Sequence, residues 1–108
     1  MANASGTPVP SARSMVSVAK RFGENLAHRR EAAGLSQEEV GFRASVHRTE
    51  ISGLERGLRV PRIDTLVKLA GALGVEPAAL LDGIVWTPAT LRPGASSSPA
   101  LTLRSEHG

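Results

Sequence analysis

Apolar residues recur at three- and four-residue steps through most of the chain, which is the spacing of amphipathic helices. The first stripe predicts a helix over residues 17–33, which Gly34 ends. A later stripe predicts a helix over residues 63–73, and Pro77 then opens a short fifth helix because proline suits the first helical position. The residues predicted to face inward on these three helices are Ala19, Phe22, Leu26, Ala33, Leu66, Leu69, Ala70, Leu73, Leu80 and Leu81.

Two shorter helices are predicted between these, within residues 35–57. Ser36 followed three residues later by Glu39 is a capping box, in which each side chain binds the backbone amide of the other residue. This pattern predicts a helix over residues 37–44. Helices of two to three turns cannot bury their apolar sides alone, so other helices must pack behind them.

The second of the two short helices is predicted over residues 48–56, with Gly57 as its stop. Its cap position holds His47, which is not among the favoured capping residues. Glu50 is expected to complete a second box by accepting a hydrogen bond from the His47 backbone amide. The alternative for Glu50 is to accept a hydrogen bond from the amino group of a cytosine.

Both ends of the chain differ in composition from the middle. Residues 1–14 are rich in Ser, Ala, Pro and Gly without apolar periodicity, so we expect a disordered tail. Residues 15–83 form the predicted helical domain. Residues 84–108 are expected to form a mostly flexible extension that begins with a brief β-prone run. Trp86 in that run is expected to fold back on the domain, the alternative being a contact across a dimer.

Composition excludes several classes of function. A chain of 108 residues supports one small core, and the absence of cysteine excludes disulfides and thiolate metal sites. No apolar run is long enough for a membrane span and no signal-peptide pattern precedes the helices, so we expect a cytoplasmic protein that does not contact a membrane. The histidines lack metal-site spacing, and no phosphate loop or nucleophile motif is present. The histidines in question are His28, His47 and His107. We therefore expect no metal, no cofactor and no enzymatic activity.

Positive charge is concentrated around the second short helix. The net charge is +3 and the isoelectric point about 10.6, which alone is ordinary for a soluble domain. The position of the positive charge is more informative, because four arginines lie on or just after residues 48–56: Arg48, Arg56, Arg59 and Arg62. This clustering favours nucleic acid as the anionic partner.

Three segments carry a resemblance to a known family. The run SQEEV, the run RTEISGLERG and the apolar positions from Pro61 to Val75 resemble the helix-turn-helix domain of the lambda-repressor/Cro type, also called the xenobiotic-response-element family. The resemblance covers residues 18–82. It implies a compact, all-α, five-helix lambda-repressor-like fold. It also implies a sequence-specific transcriptional regulator, a repressor that binds double-stranded DNA as a homodimer.

The resemblance assigns roles to individual residues. The DNA base contacts would fall on Arg48, Thr49, Ser52 and Gly53. Arg48 can pair with guanine through two hydrogen bonds, and its alternative is a phosphate contact without sequence information. Gly53 departs from the family pattern because it offers no side chain where relatives often carry a polar one. The DNA backbone contacts would be Gln37, His47, Arg56, Arg59 and Arg62, and Arg62 replaces a frequent helix-capping Ser.

A structural ion pair and two rival functions complete these expectations. The resemblance implies that Arg30, near the end of the first helix, pairs with Glu55, near the end of the base-reading helix. One rival function is the antitoxin of a toxin–antitoxin pair, which would also bind a toxin protein through the tail of residues 87–108. The other is a helical protein–protein adaptor without DNA binding, and Glu50 and Gly53 are the features in its favour.

Overall fold

The computed structural model describes residues 12–89 and 100–103 and contains five helices and two short strands. In chain order they are α1 (Ala12–Ala32), α2 (Gln37–Ala44), α3 (Arg48–Glu55), α4 (Ile63–Leu73), α5 (Pro77–Leu80), β1 (Ile84–Thr87) and β2 (Ala100–Leu103). The five predicted helices are therefore confirmed. The bounds of α2 and α4 coincide with the prediction, and α3 ends one residue earlier because Arg56 is its C-terminal cap.

The first helix differs from its prediction at both ends. It begins at Ala12, so residues 12–14 are helical although they were predicted to be disordered. Ala12 and Arg13 are strong helix formers, and this propensity acts without the apolar periodicity on which the prediction relied. At the other end, Ala33 lies beyond the helix and is exposed, so its predicted inward position is wrong.

All five helices contribute to one core, which is aliphatic apart from Phe22. Helix α1 packs on α3 and α5, while α2 packs on α3 and α4. The core residues include most of those predicted, and the list is Phe22, Leu26, Val40, Ala44, Ile51, Leu54, Leu66, Leu69, Ala70 and Leu80. Leu81 was predicted to be buried but is 42% exposed, because α5 ends at Leu80 and Leu81 is its cap.

The two strands pair in antiparallel register after the helical core. Trp86 lies opposite Leu101 and is 47% exposed, so about half of its surface is covered. Ile84, at the start of β1, is the strand residue that packs on the core. The rest of both predicted tails lies outside the described residues.

Two further findings concern the described part of the chain. None of its helices has the length and apolar character needed to cross a membrane. Within the same residues, no three His, Asp or Glu side chains are grouped so that they could hold a metal ion.

Candidate nucleic-acid interface

Helix α2 begins with the predicted capping box. The Glu39 amide donates to Ser36 Oγ at 3.0 Å, and the Ser36 amide donates to Glu39 Oε1 at 2.9 Å. The hydrogen bonds from the Ser36 amide and hydroxyl lower the pKa of the Glu39 carboxyl below its usual value. The capping box is therefore strongest when the Glu39 carboxylate is charged.

A single residue in left-handed conformation turns the chain from α2 into α3. Ser45 has φ 58° and ψ 43°, and it is the one non-glycine residue with positive φ among the described residues. The Val46 amide donates to the Gly41 carbonyl at 2.9 Å, which closes the turn. A Cβ at Gly41 would lie 2.5 Å from the Val46 carbonyl oxygen, so the turn requires glycine there.

The imidazole of His47 caps the N-terminus of helix α3. His47 Nδ1 accepts a hydrogen bond from the Thr49 amide at 3.0 Å and lies 2.7 Å from the Thr49 hydroxyl. The predicted cap by Glu50 is wrong, because its carboxylate instead accepts a hydrogen bond from Arg59 Nη1 at 2.7 Å. The guanidinium is the stronger partner, since both groups of that pair are charged.

The back of α3 is held by apolar packing and by one ion pair. Ile51 and Leu54 are fully buried against the other helices. Arg30 and Glu55 form the expected pair through two hydrogen bonds, from Nε to Oε2 at 2.7 Å and from Nη2 to Oε1 at 3.0 Å. Only 15% of the Arg30 side chain and 7% of the Glu55 side chain are exposed. The hydrogen bonds to Glu55 raise the pKa of Arg30 despite this burial.

Two further bonds extend this pair to α2. Arg30 Nη1 donates to the Leu35 carbonyl at 2.9 Å, and Gln37 Nε2 donates to Glu55 Oε1 at 2.9 Å. Gln37 was expected to anchor a phosphate, and its amide group has one N–H committed to Glu55. The ends of α1, α2 and α3 are thus joined by one polar network.

The front of α3 is open at its N-terminal half. Arg48 and Thr49 are exposed and Ser52 is half-buried, which is the arrangement predicted for them. Gly53 follows Thr49 by four residues and lies on the same face, as expected, but this position is covered rather than open. It is buried, and a Cβ there would lie 3.1 to 3.4 Å from the guanidinium atoms of Arg59.

The remaining predicted backbone contacts lie around α3. His47 is exposed at its start, and Arg56 is exposed at its end, with Nε 3.4 Å from the Ser52 carbonyl oxygen. Arg62 is exposed in the next loop and forms a surface pair with Asp64 at 3.3 Å. These three residues are therefore exposed around α3, whereas the side chain of Arg59 lies across the surface of that helix.

Sequence reasoning missed two contacts in this site. One is the bond from Gln37 to Glu55, and the other is the pair formed by Glu50 and Arg59. Arg59 follows Glu50 by nine residues and lies beyond the end of the helix, so no helical spacing rule links them. The single available signal was Gly53, whose missing side chain leaves room for another group.

The structure has two short helices joined by a tight turn, and together they pack on the other helices. The front of the second short helix, α3, is open. This arrangement defines a helix-turn-helix protein. A helix-turn-helix family model matches residues 26–80, about half of the chain, and the chain belongs to this family of transcription regulators.

Relatives and solved structures agree with that assignment. Control protein C.BamHI from Bacillus amyloliquefaciens is 42% identical over 62 residues, which cover 56% of this chain and 76% of that protein. The crystal structure of the restriction-modification controller protein C.AhdI from Aeromonas hydrophila is 39% identical with a TM-score of 0.58, covering 59% of this chain and 97% of that one. The biofilm regulator SinR, solved in complex with DNA, is 32% identical with a TM-score of 0.55, covering 56% and 98%.

Proposed function

We propose that this protein is a sequence-specific repressor that places α3 in the major groove of double-stranded DNA. The observation that carries this proposal is the asymmetry of α3. Its back is fixed by Ile51, Leu54 and the Arg30–Glu55 pair, while Arg48 and Thr49 stand exposed on its front. A short rigid helix of this kind fits the major groove and presents its first residues to base edges.

Base reading is assigned to the exposed N-terminal half of α3. Arg48 has a guanidinium whose planar donors match the O6 and N7 acceptors of guanine. Thr49 is oriented by its contact with His47 Nδ1, so its hydroxyl oxygen and methyl group have defined positions. Ser52 lies one turn further along and can donate to or accept from a base edge.

Backbone binding is assigned to residues around α3 rather than on its front. His47 and Arg56 lie at its two ends, and Arg62 lies in the following loop. The Gln37 amide has a second N–H beyond the one bound to Glu55, and this second donor can bind a phosphate. Such contacts set the register of the protein on the duplex.

We further propose that the protein binds as a homodimer to two half-sites about one helical turn apart. One helix-turn-helix presents a small interface, so a second copy adds affinity. The candidate dimer surface comprises exposed apolar residues of the loop after α3 and of α4, which are Leu58, Val60, Ile63 and Val67. Ile63 and Val67 are one turn apart on α4, so they lie on the same face. The proposed role is that of a cytoplasmic regulator without enzymatic activity.

The adaptor alternative loses its two supporting features in this geometry. A bare Glu50 carboxylate would be repelled by phosphates, but Arg59 neutralises it at 2.7 Å. Gly53 leaves no gap on the helix, since the same guanidinium covers it. No observation on the described residues favours a toxin partner.

Selection of bound sequences from a random DNA pool tests the proposal. We expect an inverted repeat to be enriched. In Arg48→Ala we expect the discrimination between bases at one position of each half-site to fall by about 1–3 kcal/mol. Lys68→Ala is the matched control, because it removes one positive charge from the exposed side of α4. If no sequence is enriched even at low salt, where phosphate contacts are strongest, the proposal is wrong.

A further inference from the structure

The side chain of Arg59 lies on α3 although the residue belongs to the loop that follows it. Its Nη1 donates to Glu50 Oε1 at 2.7 Å, and its guanidinium lies against Gly53. Glu50 and Gly53 are three residues apart, so they are neighbours on the helix surface. The guanidinium therefore crosses α3 at the level of its second turn.

The absence of a side chain at Gly53 lets the guanidinium lie this close to the helix. A Cβ there would lie 3.1 Å from Nη1, 3.3 Å from Cζ and 3.4 Å from Nη2 of Arg59. Gly53 follows Thr49 by four residues, which places it one turn along the same face. The guanidinium thus occupies the surface that a side chain at this position would otherwise present.

Glu50 holds this guanidinium without using all of its donors. An arginine side chain has five N–H donors in a fixed plane. Among the described residues, Glu50 is the hydrogen-bond partner of Arg59, and it binds through Nη1. Half of the Arg59 side chain remains exposed, so its other N–H donors are accessible to a ligand.

We propose that Arg59 is a specificity-determining residue that reads a guanine in the major groove, with Glu50 as its positioning residue. This inference rests on the proposed function of α3. The free donors of the guanidinium would bind guanine O6 and N7 through two parallel hydrogen bonds. Arg59 thereby supplies the side chain that Gly53 lacks, one helical turn beyond Thr49.

The carboxylate of Glu50 favours a base rather than a phosphate as the ligand. A phosphate beside the pair would be repelled by Glu50, and this repulsion would offset much of its attraction to the arginine. A base edge carries no net charge, so the carboxylate can stay in place. Fixing the plane of the guanidinium in advance also lowers the entropic cost of a two-bond contact.

Parallel selections from a random DNA pool test this inference. We compare the wild type with Arg59→Ala, Arg59→Lys and Glu50→Gln, and use Arg62→Ala as the control from the same loop. In Arg59→Ala we expect the preference for guanine at one position of each half-site to fall about tenfold or more, with the other positions retained. Arg59→Lys should lose part of that preference, because an ammonium cannot make two coplanar bonds.

The other two variants separate positioning from charge. Glu50→Gln should weaken the same guanine preference without lowering overall affinity, because a negative charge near the DNA is removed. Arg62→Ala should weaken binding to all sequences alike. Circular dichroism melting of each variant verifies that the fold is kept.

Two results overturn the inference while leaving the proposed function intact. In one, Arg59→Ala selects the wild-type motif with uniformly lower affinity, which identifies a phosphate contact. In the other, it selects the same motif with unchanged affinity. A wild type that enriches no motif overturns both proposals, and this is visible before any variant is compared.

Discussion

Gly23 of α1 lies directly against the backbone carbonyl of Leu54 in α3. A Cβ at this glycine would lie 2.7 Å from the Glu55 carbonyl oxygen and still closer to that of Leu54. Both obstacles are backbone atoms, so neither can move without shifting α3. The close approach of α1 to α3 thus depends on the missing side chain.

Gly23→Ala is therefore expected to destabilise the fold by about 1–3 kcal/mol or more, since overpacking forces the two helices apart. Gly71→Ala is the matched control, because Gly71 is an exposed position in α4 where a Cβ would meet no atom within 4 Å. Alanine should stabilise that helix by up to about 1 kcal/mol. Urea unfolding measures both, and a stable Gly23→Ala protein would contradict the packing described.

The Arg30–Glu55 pair is expected to act as a unit. Arg30→Met leaves the buried Glu55 carboxylate with Gln37 as its partner, and should cost about 3–5 kcal/mol. Combining it with Glu55→Met should cost less than the sum of the two single changes. The exposed pair of Lys20 and Glu24 is the control, and Glu24→Gln should change stability by less than about 1 kcal/mol. Strict additivity in the double-mutant cycle would show that the pair is not coupled.

A glycine at position 45, in the turn between α2 and α3, should increase the stability of the protein. Ser45 has a left-handed conformation that costs a side-chain-bearing residue about 1–2 kcal/mol. Ser45→Gly relieves this cost, so its unfolding midpoint should rise, although some of the gain is lost to the more flexible unfolded chain. Gly74→Ala is the reciprocal control, because Gly74 has φ 70° and no atom within 4 Å of an added Cβ. It should lower stability by the same mechanism.

The capping box of α2 predicts a pH dependence. The pKa of Glu39 is lowered in the folded protein, so its contribution is present above the usual value of 4.5 and is lost as the pH falls through the lowered folded value. Glu39→Gln keeps a hydrogen-bonding group but does not titrate. Its stability should therefore fall less than that of the wild type between neutral and acid pH.

Glu38→Gln is the control for that experiment, because it removes a neighbouring carboxylate that makes no bond to the cap. Its stability should follow the wild type through the same acid range. Wild-type and Glu39→Gln proteins that lose stability in parallel would show that the box is not maintained by the charged form.

The five helices and the starts of α2, α3 and α4 were predictable because the interactions that set them are local. The Ser36 box joins residues three positions apart, and the apolar stripe of α4 repeats every three to four residues. The exposed front of α3 followed from the same periodicity, since the positions of Ile51 and Leu54 define its buried side. The Arg30–Glu55 pair was expected from the family resemblance rather than from spacing.

Other features depend on where the loops carry the chain. The strand pairing places Trp86 opposite Leu101, although these residues are far apart in the sequence. Chain geometry likewise brings Gln37 to Glu55 and lays Arg59 over Gly53.

The sequence by itself thus determined the number of helices, the capping box of α2 and the buried side of α3, since each of these follows from residues close together in the chain. Only the tertiary structure decided which side chain covers Gly53 and which partner Glu50 takes. Those contacts form between residues on different elements, and their distances are set by how the elements pack.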